Sequence, residues 1–322
     1  MRMVCIAGVI AAASWFAAVA QAQSYPVKPV RYVVAFPPGD GPDISARLVG
    51  DRLARQWEQQ VLVENRVGAG GTIAAAFVAK APADGYTLFH CNIASNAIAP
   101  AVYLKLPYDA LRDFEMVSRI ATTANVVIVH PSTPFKSIAE FTAFAKANPG
   151  KLSYGTGGVG ASPHLSMEMF KLLTGINIVH VPYKGATPAA TDLIGGQIPV
   201  AIANLPSVMP YIQAGKARAL AVTSEKRAAL LPAVPTMIES GLPGYVVTAW
   251  YGMCTPAGTP PPVLNKLHAD LTRVLQAPEL QQRLADLVID VAPTSRDEFV
   301  AFVRSELDRW AKVVKDAGIP RQ

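Results

Sequence analysis

The sequence lacks the residue patterns that build metal centres and hydrolytic active sites. Its five histidines form neither an H-E-x-x-H nor an H-x-H pattern, so a metal site is not indicated. No P-loop lysine follows the glycine-rich segments, and the carboxylates form no evident acid–base pair. These absences argue against an enzyme and predict a protein without metal or cofactor.

Charge is scarce as well, since Asp, Glu, Lys and Arg make up 16% of the residues. The 29 basic residues only modestly outnumber the 23 acidic ones, and the excess is spread along the chain. Because no basic run contains interleaved aromatic residues, a nucleic-acid partner is not indicated. A weakly basic chain is compatible with small anionic ligands.

Cysteine is rare: the chain has three, of which Cys91 and Cys254 end apolar, strand-like runs. An oxidising compartment would allow one disulfide between these two. We favour the alternative, two buried free thiols, because cysteine outside disulfides behaves as a small apolar core residue.

Long apolar runs are confined to the N-terminus, which has the features of an export signal. Arg2 precedes an apolar run from Met3 to Ala20, and Ala20-Gln21-Ala22 is a small-x-small cleavage site. The alternative is an uncleaved membrane anchor, but the run is near the lower length limit for spanning a bilayer. The sequence therefore predicts a signal peptide over residues 1–22, cleaved near Ala22, and a mature chain from Gln23.

Strands and helices alternate from residue 30 onward, which predicts an α/β fold of mostly parallel sheets flanked by helices. Two apolar strands, at 116–120 and 125–130, mark a first crossing between two lobes, and a long apolar strand at 245–254 marks the return. The expected division places residues 23–124 and 250–322 in lobe 1 and residues 125–249 in lobe 2.

A glycine-rich segment, residues 152–165, predicts a short strand, a tight turn and a helix start. Ser162 is expected to cap this helix, with Pro163 at the first helical position. A similar unit at residues 30–47 runs from an apolar strand through prolines and a glycine to a helix near Asp43. Two helix N-termini that face one cleft would suit a carboxylate or phosphate.

Two enzymatic interpretations of the glycine-rich segment are weak. Gly155, Gly157 and Gly160 fit the dinucleotide pattern GxGxxG, but the acidic residue expected about twenty positions later is missing. Ser162 and His164 resemble a nucleophile elbow, yet its second glycine is missing and a proline follows the serine directly. An exported hydrolase stays only a minor alternative.

Short motifs that follow one another along nearly the whole mature chain resemble a known family. They are YPxKPxR (25–31), FPPG (36–39), VENR (63–66), GAGG (68–71), ADGYTL (83–88), KLPY (105–108), HVPYKG (180–185), TDLxGGQ (191–197) and PAGTP (256–260). With these motifs the chain is similar to the Bug proteins, the extracytoplasmic solute receptors of tripartite tricarboxylate transporters.

The resemblance implies a two-lobed periplasmic binding protein that closes on a small organic acid. Its partners would be this ligand and integral membrane permease subunits, and the receptor would act as a monomer in the periplasm. A ligand-sensing subunit for a membrane signalling kinase is the alternative from another class. The resemblance and the two turns together imply this set of ligand-binding residues: Phe36, Pro38, Gly39, Asp40, Asp43, Ser95, Gly155, Thr156, Gly157, Ser162, His164, Tyr183 and Asn204.

The chain departs from the family pattern at Asp40, Pro42, Ala99 and Ala203, so ligand identity does not transfer from relatives. At position 203 the family often has an aspartate. A ligand ammonium group without that partner would be costly to bury, which predicts an acid lacking an amine. Asp40 stands where a glycine is usual, and it has two interpretations. Its carboxylate either caps its own helix near Asp43, or points into the cleft and selects the ligand.

Overall fold

A computed structural model describes residues 25–316, 318–319 and 321 of the chain. The predicted signal peptide, residues 1–22, lies outside the described residues. None of the described helices has the length and apolarity that crossing a membrane requires.

Strands and helices alternate along most of the described chain. The strands are β1 (Val30–Val34), β2 (Val61–Asn65), β3 (Thr87–Asn92), β4 (Phe114–Val129), β5 (Ser153–Thr156), β6 (Val179–Pro182), β7 (Val200–Asn204), β8 (Arg218–Val222), β9 (Thr248–Pro256) and β10 (Asp290–Val291). The helices are α1 (Gly41–Trp57), α2 (Thr72–Ala79), α3 (Ala99–Val102), α4 (Ile138–Ala147), α5 (Ser162–Thr174), α6 (Ala186–Ile194), α7 (Leu205–Gln213), α8 (Pro261–Leu275), α9 (Pro278–Ala285) and α10 (Arg296–Asp316), with a 3-10 turn at Ala69–Gly71 and a π-helical turn at Ala94–Ile98.

The strands form one hydrogen-bonded order, β2-β1-β3-β9-β4-β7-β5-β6, and β8 and β10 also pair with β4. β1 is parallel to β2 and β3, and β5 is parallel to β6 and β7. Between these two parallel groups run β9 and β4, which are antiparallel to their neighbours. The predicted α/β fold is confirmed. We call the part around β1 the first lobe and the part around β5 the second lobe.

Strand β4 connects the lobes. Its residues from Phe114 to Ala124 pair with β9, whereas those from Asn125 to Val129 pair with β7 and β8. The expected break between residues 120 and 125 is absent, because residues 121–124 pair with β9 and polar side chains there find partners within the fold. Thr123, for example, donates from Oγ1 to the carbonyl oxygen of Val288 at 2.8 Å.

Both faces of the sheet are covered in the second lobe. Val126 and Ile128 of β4 belong to one apolar cluster, while Val127 and Val129 belong to the other. Successive side chains of a strand point to opposite faces, so each cluster lies on its own side of the sheet. This double burial explains why the strands are continuous apolar runs rather than alternating ones.

Helix α5 starts differently from the prediction. Its N-cap is Ala161 in an extended conformation, Ser162 is the first helical residue, and no side chain caps the helix. The prediction that Ser162 caps α5 was therefore wrong. The Ser162 hydroxyl donates instead to Oδ1 of Asn125 at 3.3 Å. The first N–H groups of α5 have no partner within the helix, so they are available to solvent or ligand.

The two cysteines of the described chain are buried free thiols, as favoured from the sequence. They lie on neighbouring antiparallel strands, where Cys91 pairs with Gly252 and Cys254 pairs with Phe89. Burial, together with the neighbouring Cys91, raises the pKa of the Cys254 thiol well above its usual range.

Candidate functional site

A cavity lies between the lobes, at the carboxyl ends of β1, β3, β5 and β7, where ligands of open α/β sheets bind. We call it the inner cavity. Its lining atoms leave about 380 Å³ of empty space, open solvent at the mouth included, within which the centre of a water molecule can reach about 20 Å³. No basic side chain lines it among the described residues. Five predicted ligand-binding residues lie on its wall: Phe36, Asp40, Gly157, Ser162 and Asn204.

A second space, the outer cleft, adjoins the inner cavity and shares Phe36 and Gly157 with it. Tyr183 and Lys184 lie on its second-lobe side, and Gly68 to Gly71 lie on its first-lobe side. The hydroxyl of Tyr183 donates to Asp192 at 2.7 Å, which fixes the ring at the cleft edge. The other predicted residues line neither space: Pro38, Gly39, Asp43, Ser95, Gly155, Thr156 and His164.

Asp40 reaches across the cleft to the second lobe. Its Oδ2 accepts the backbone N–H of Ala186 at 2.9 Å, and its Oδ1 accepts the N–H and the hydroxyl of Thr187 at 3.2 and 3.0 Å. Burial raises the pKa of Asp40, and these hydrogen bonds oppose the shift. The interpretation that Asp40 caps its own helix was wrong, because its side chain makes no bond to the start of α1.

The geometry explains why Asp40 caps α6 instead. The N-cap position of α6 is Gly185, which has no side chain to accept the first N–H groups. Glycine is required there because its φ is +132° and a Cβ would lie 2.3 Å from Cγ of Pro37 in the first lobe. The Asp40 carboxylate therefore does for α6 what a capping side chain does within one helix.

The Asp43 carboxylate stabilises the turn that precedes α1. Its carboxylate accepts the N–H of Gly39 at 3.0 Å, Nε of Arg47 at 3.0 Å and Nδ2 of Asn65 at 2.8 Å. Burial alone would raise the pKa of Asp43, but the bonds from Arg47, Asn65 and Gly39 lower it below its usual value. Asp43 thus positions the turn that carries Asp40.

His164 supports the glycine-rich loop of the second lobe. Its Nδ1 accepts the N–H of Gly160 at 3.3 Å, and its ring stacks on His180 with 4.3 Å between centroids. His180 in turn bonds through Nε2 to the hydroxyl of Thr156 at 2.7 Å. Burial lowers the pKa of His164 to about 4, and burial together with His164 lowers that of His180 to about 3. The Ser162 hydroxyl bonds to Asn125 and Asn204 and not to His164. Ser162 and His164 therefore do not form a nucleophile and its base.

Other predicted residues have packing roles. A Cβ on Gly155 would lie 2.5 Å from Cδ1 of Ile198, so this glycine lets β5 pack closely in the core. Ser95 is fully buried and donates to Oδ1 of Asn96 at 2.7 Å. Ala203, whose missing carboxylate predicted an amine-free ligand, packs in an apolar cluster and does not line the inner cavity. The structure therefore gives that prediction no support.

The sequence did not reveal a polar network beside the inner cavity. Nδ2 of Asn204 donates to Oδ1 of Asn125 at 2.6 Å, the Ser162 hydroxyl donates to the same oxygen, and the Tyr251 hydroxyl lies 3.5 Å from Oδ1 of Asn204. Nδ2 of the buried Asn125 has no partner among the described residues. Asn125 is a single amide beside the valines of β4, and this is the sequence signal that could have predicted the polar network. Further lining residues that the prediction missed are Pro42, Asn92, Ile93, Ala94, Ala161, Pro163, Ala186 and Ala249.

A cleft between two α/β lobes, with helix N-termini facing it, is the architecture of a periplasmic binding protein. The sequence pattern of the tripartite tricarboxylate transporter family receptor matches residues 45–319, and the chain belongs to this family. It is 35% identical over 318 residues to protein BugT of Bordetella pertussis, 98% of either chain being covered. The family consists of receptors rather than enzymes.

Solved structures agree with this assignment. The periplasmic binding protein BugD superposes with a TM-score of 0.89 at 35% identity, covering 92% of this chain and 100% of BugD. The structure of Rhodopseudomonas palustris Rpa4515 with adipate superposes with a TM-score of 0.90 at 37% identity, covering 92% of this chain and 100% of Rpa4515. The structure of MatC from the same organism, with bound malate, superposes with a TM-score of 0.86 at 32% identity, covering 90% of this chain and 100% of MatC. The predicted Bug-type receptor is confirmed.

Proposed function

We propose that the mature chain is a monomeric receptor that captures a small organic acid between its lobes in the periplasm and delivers it to integral membrane permease subunits. The membership in a transporter receptor family supports the delivery step. The acids bound to two similar structures, adipate and malate, support the class of ligand.

One observation carries the proposal: the uncapped start of α5 lies on the wall of the inner cavity. The N–H groups of Ser162 and His164 belong to its first turn, where intrahelical acceptors are missing and the helix dipole is positive. Nδ2 of Asn125 adds an unpaired donor next to Ser162. Such a set of dipoles binds a carboxylate without a basic side chain.

We propose the division into lobes that the sequence predicts: residues 23–124 with 250–322 in the first lobe, and residues 125–249 in the second. The change of β4 partners at Asn125 supports it. Only β4 and β9 would then have to bend as the lobes open and close, which is the usual hinge arrangement around a ligand.

A thermal-shift screen of mono- and dicarboxylates, followed by calorimetry, tests the proposed function. A ligand that binds only the folded chain raises its melting temperature by mass action. We expect at least one acid to bind with micromolar affinity, and its primary amide, an uncharged analogue of the same shape, to bind at least tenfold more weakly. If no acid binds, or if the amides bind equally well, the proposal is wrong.

Export and delivery have tests of their own. The mass of the chain from the periplasmic fraction should place its N-terminus near Gln23, and a full-length chain in the membrane fraction would contradict export. Uptake of the identified acid should require both the receptor and its permease. Uptake that is unchanged without the receptor would contradict delivery.

A further inference from the structure

Two helix N-termini lie at the inner cavity, and the Asp40 carboxylate binds one of them, the start of α6. It is 3% exposed, lines the cavity, and accepts three hydrogen bonds from the first two residues of α6. These are the contacts that a ligand carboxylate would make at a helix start. The chain thus supplies its own carboxylate at this position.

The start of α5, in contrast, is left open. Its N-cap, Ala161, has no acceptor in its side chain, and Ser162 has turned its hydroxyl toward Asn125. Asn125 is fully buried, yet its Nδ2 is without a partner among the described residues. Its Oδ1 is bound to Asn204 and Ser162, both of which line the cavity. An unpaired buried donor is costly unless a ligand satisfies it.

We propose that this receptor selects short acids with a single carboxylate, which binds at the start of α5, and that Asp40 determines this selectivity by excluding a second carboxylate from the inner cavity. The inference rests on the proposed function and names its ligand class more narrowly. It sets the chain apart from the similar structures with adipate and malate, both of which are diacids.

The physical basis is repulsion between like charges in a closed space. The three donors at α6 are already bound to Asp40, so a second ligand carboxylate would find no donors there. It would also lie close to the Asp40 carboxylate, which is 3% exposed, and repulsion between two carboxylates is stronger at a buried position than in bulk water. A methyl group or hydroxyl at that end of the ligand avoids both effects.

Calorimetry with matched four-carbon acids tests the inference. The pairs are butanoate with succinate, and 2-hydroxybutanoate with malate, so that each pair differs by one carboxylate. For the wild-type chain we expect the monoacid of at least one pair to bind at least tenfold more tightly than its diacid. Asp40→Asn should reduce this ratio at least tenfold. Asp51→Asn removes the same charge from the exposed face of α1 and should leave the ratio unchanged.

Each outcome of these measurements either supports the inference or overturns it. A wild-type chain that prefers the diacids, or binds neither member of either pair, overturns the inference, while the wider acid screen decides separately on receptor function. An unchanged ratio in a folded Asp40→Asn variant also overturns it. If that variant fails to fold, the wild-type ratio decides, together with Thr187→Val. This change removes one of the three donors that hold the Asp40 carboxylate and should lower the ratio below that of the wild-type chain; an unchanged ratio in Thr187→Val would then overturn the inference.

Discussion

The carboxylate of Asp40 lies 2.9 Å from the backbone N–H of Ala186, although 146 residues separate them along the chain. Asp40 belongs to the turn before α1 in the first lobe, and Ala186 begins α6 in the second. A second contact of this kind is the N–H of Gly41 donating to the Ser207 hydroxyl at 2.9 Å. The lobes therefore hold each other through helix starts on both sides of the cleft.

The first prediction concerns the stability that Asp40 confers. Asp40→Ala leaves the N–H groups of the buried Ala186 and the half-buried Thr187 without an acceptor, and we expect the free energy of unfolding to fall by about 1–2 kcal/mol. Urea unfolding measures the change. Asp51→Ala, on the exposed face of α1, serves as control and should change it by less than about 0.5 kcal/mol. Equal midpoints for wild type and Asp40→Ala would show that the lobes do not hold each other through this contact in solution.

The second prediction distinguishes an effect on closure of the two lobes from an effect on folding alone. A Cβ on Gly70, whose φ is +60°, would lie 2.7 Å from the carbonyl oxygen of Val159 in the opposite lobe. Gly70→Ala should therefore weaken ligand binding at least tenfold, because the clash arises only when the lobes meet. Gly215 is a matched control, since its φ is +67° and a Cβ there would meet no atom within 4 Å.

Both glycine variants carry the same cost of an alanine in the left-handed region, roughly 1 kcal/mol. Both melting temperatures should fall, and that of Gly70→Ala should fall further, because the clash also weakens the contacts between the lobes; calorimetric affinity should fall only for Gly70→Ala. Equal affinities of the two variants would mean that ligand binding does not need the Gly70–Val159 approach seen in the structure.

These residues show how far the sequence predicts the structure. The glycine-rich loop and the turn before α1 follow from local turn chemistry, and both lie at the cleft as expected. The partners of Asp40 and the roles of Asn125 and Tyr251 do not follow, because they depend on how two lobes meet. His164 illustrates the difference, since its position near the loop was predictable but its bond to Gly160 and its stacking on His180 were not.

The third prediction concerns pH. Burial lowers the pKa of His164 to about 4 and that of His90 to about 3, whereas both would titrate near 6.5 in an unfolded chain. Between pH 6.5 and 4 the unfolded chain therefore binds more protons, so stability is complete above about pH 6.5 and is lost on acidification. His164 alone accounts for roughly 3 kcal/mol at the acid end. The raised pKa of Asp40 acts in the opposite direction.

His164→Asn tests this assignment, because an amide oxygen can replace Nδ1 as the acceptor for Gly160 and does not titrate. The melting temperature of wild type should fall between pH 7 and 4.5, and that of His164→Asn should fall less steeply. His130→Asn, at a half-buried position bonded to Ser132 and outside the glycine-rich loop, serves as the control. If the curve of His164→Asn parallels the wild type, proton uptake at His164 does not limit acid stability.

The fourth prediction concerns the thiols. Cys91 and Cys254 are fully buried, and burial with mutual contact keeps Cys254 protonated. Since the thiolate is the reactive form, a chain starting at Gln23 should show no reaction with a thiol reagent when native. Two equivalents should react after unfolding in guanidinium. Absence of thiols in the unfolded chain would reveal a disulfide and contradict the structure.

The last prediction tests the start of α5 as the carboxylate site. Asn125→Leu removes the unpaired Nδ2 donor and also frees the Ser162 hydroxyl and Nδ2 of Asn204 from the oxygen that orients them. Asn96→Leu is the matched control, because Asn96 is equally buried and also has an unpaired Nδ2, but it bonds to Ser95, which lines neither space, whereas Asn125 bonds to two residues on the wall of the inner cavity. Both variants lose a buried amide and should lose comparable stability. Only Asn125→Leu should bind the identified acid at least tenfold more weakly, about 1.4 kcal/mol or more. Calorimetry on both folded variants measures this, and equal losses would place the ligand carboxylate away from Asn125.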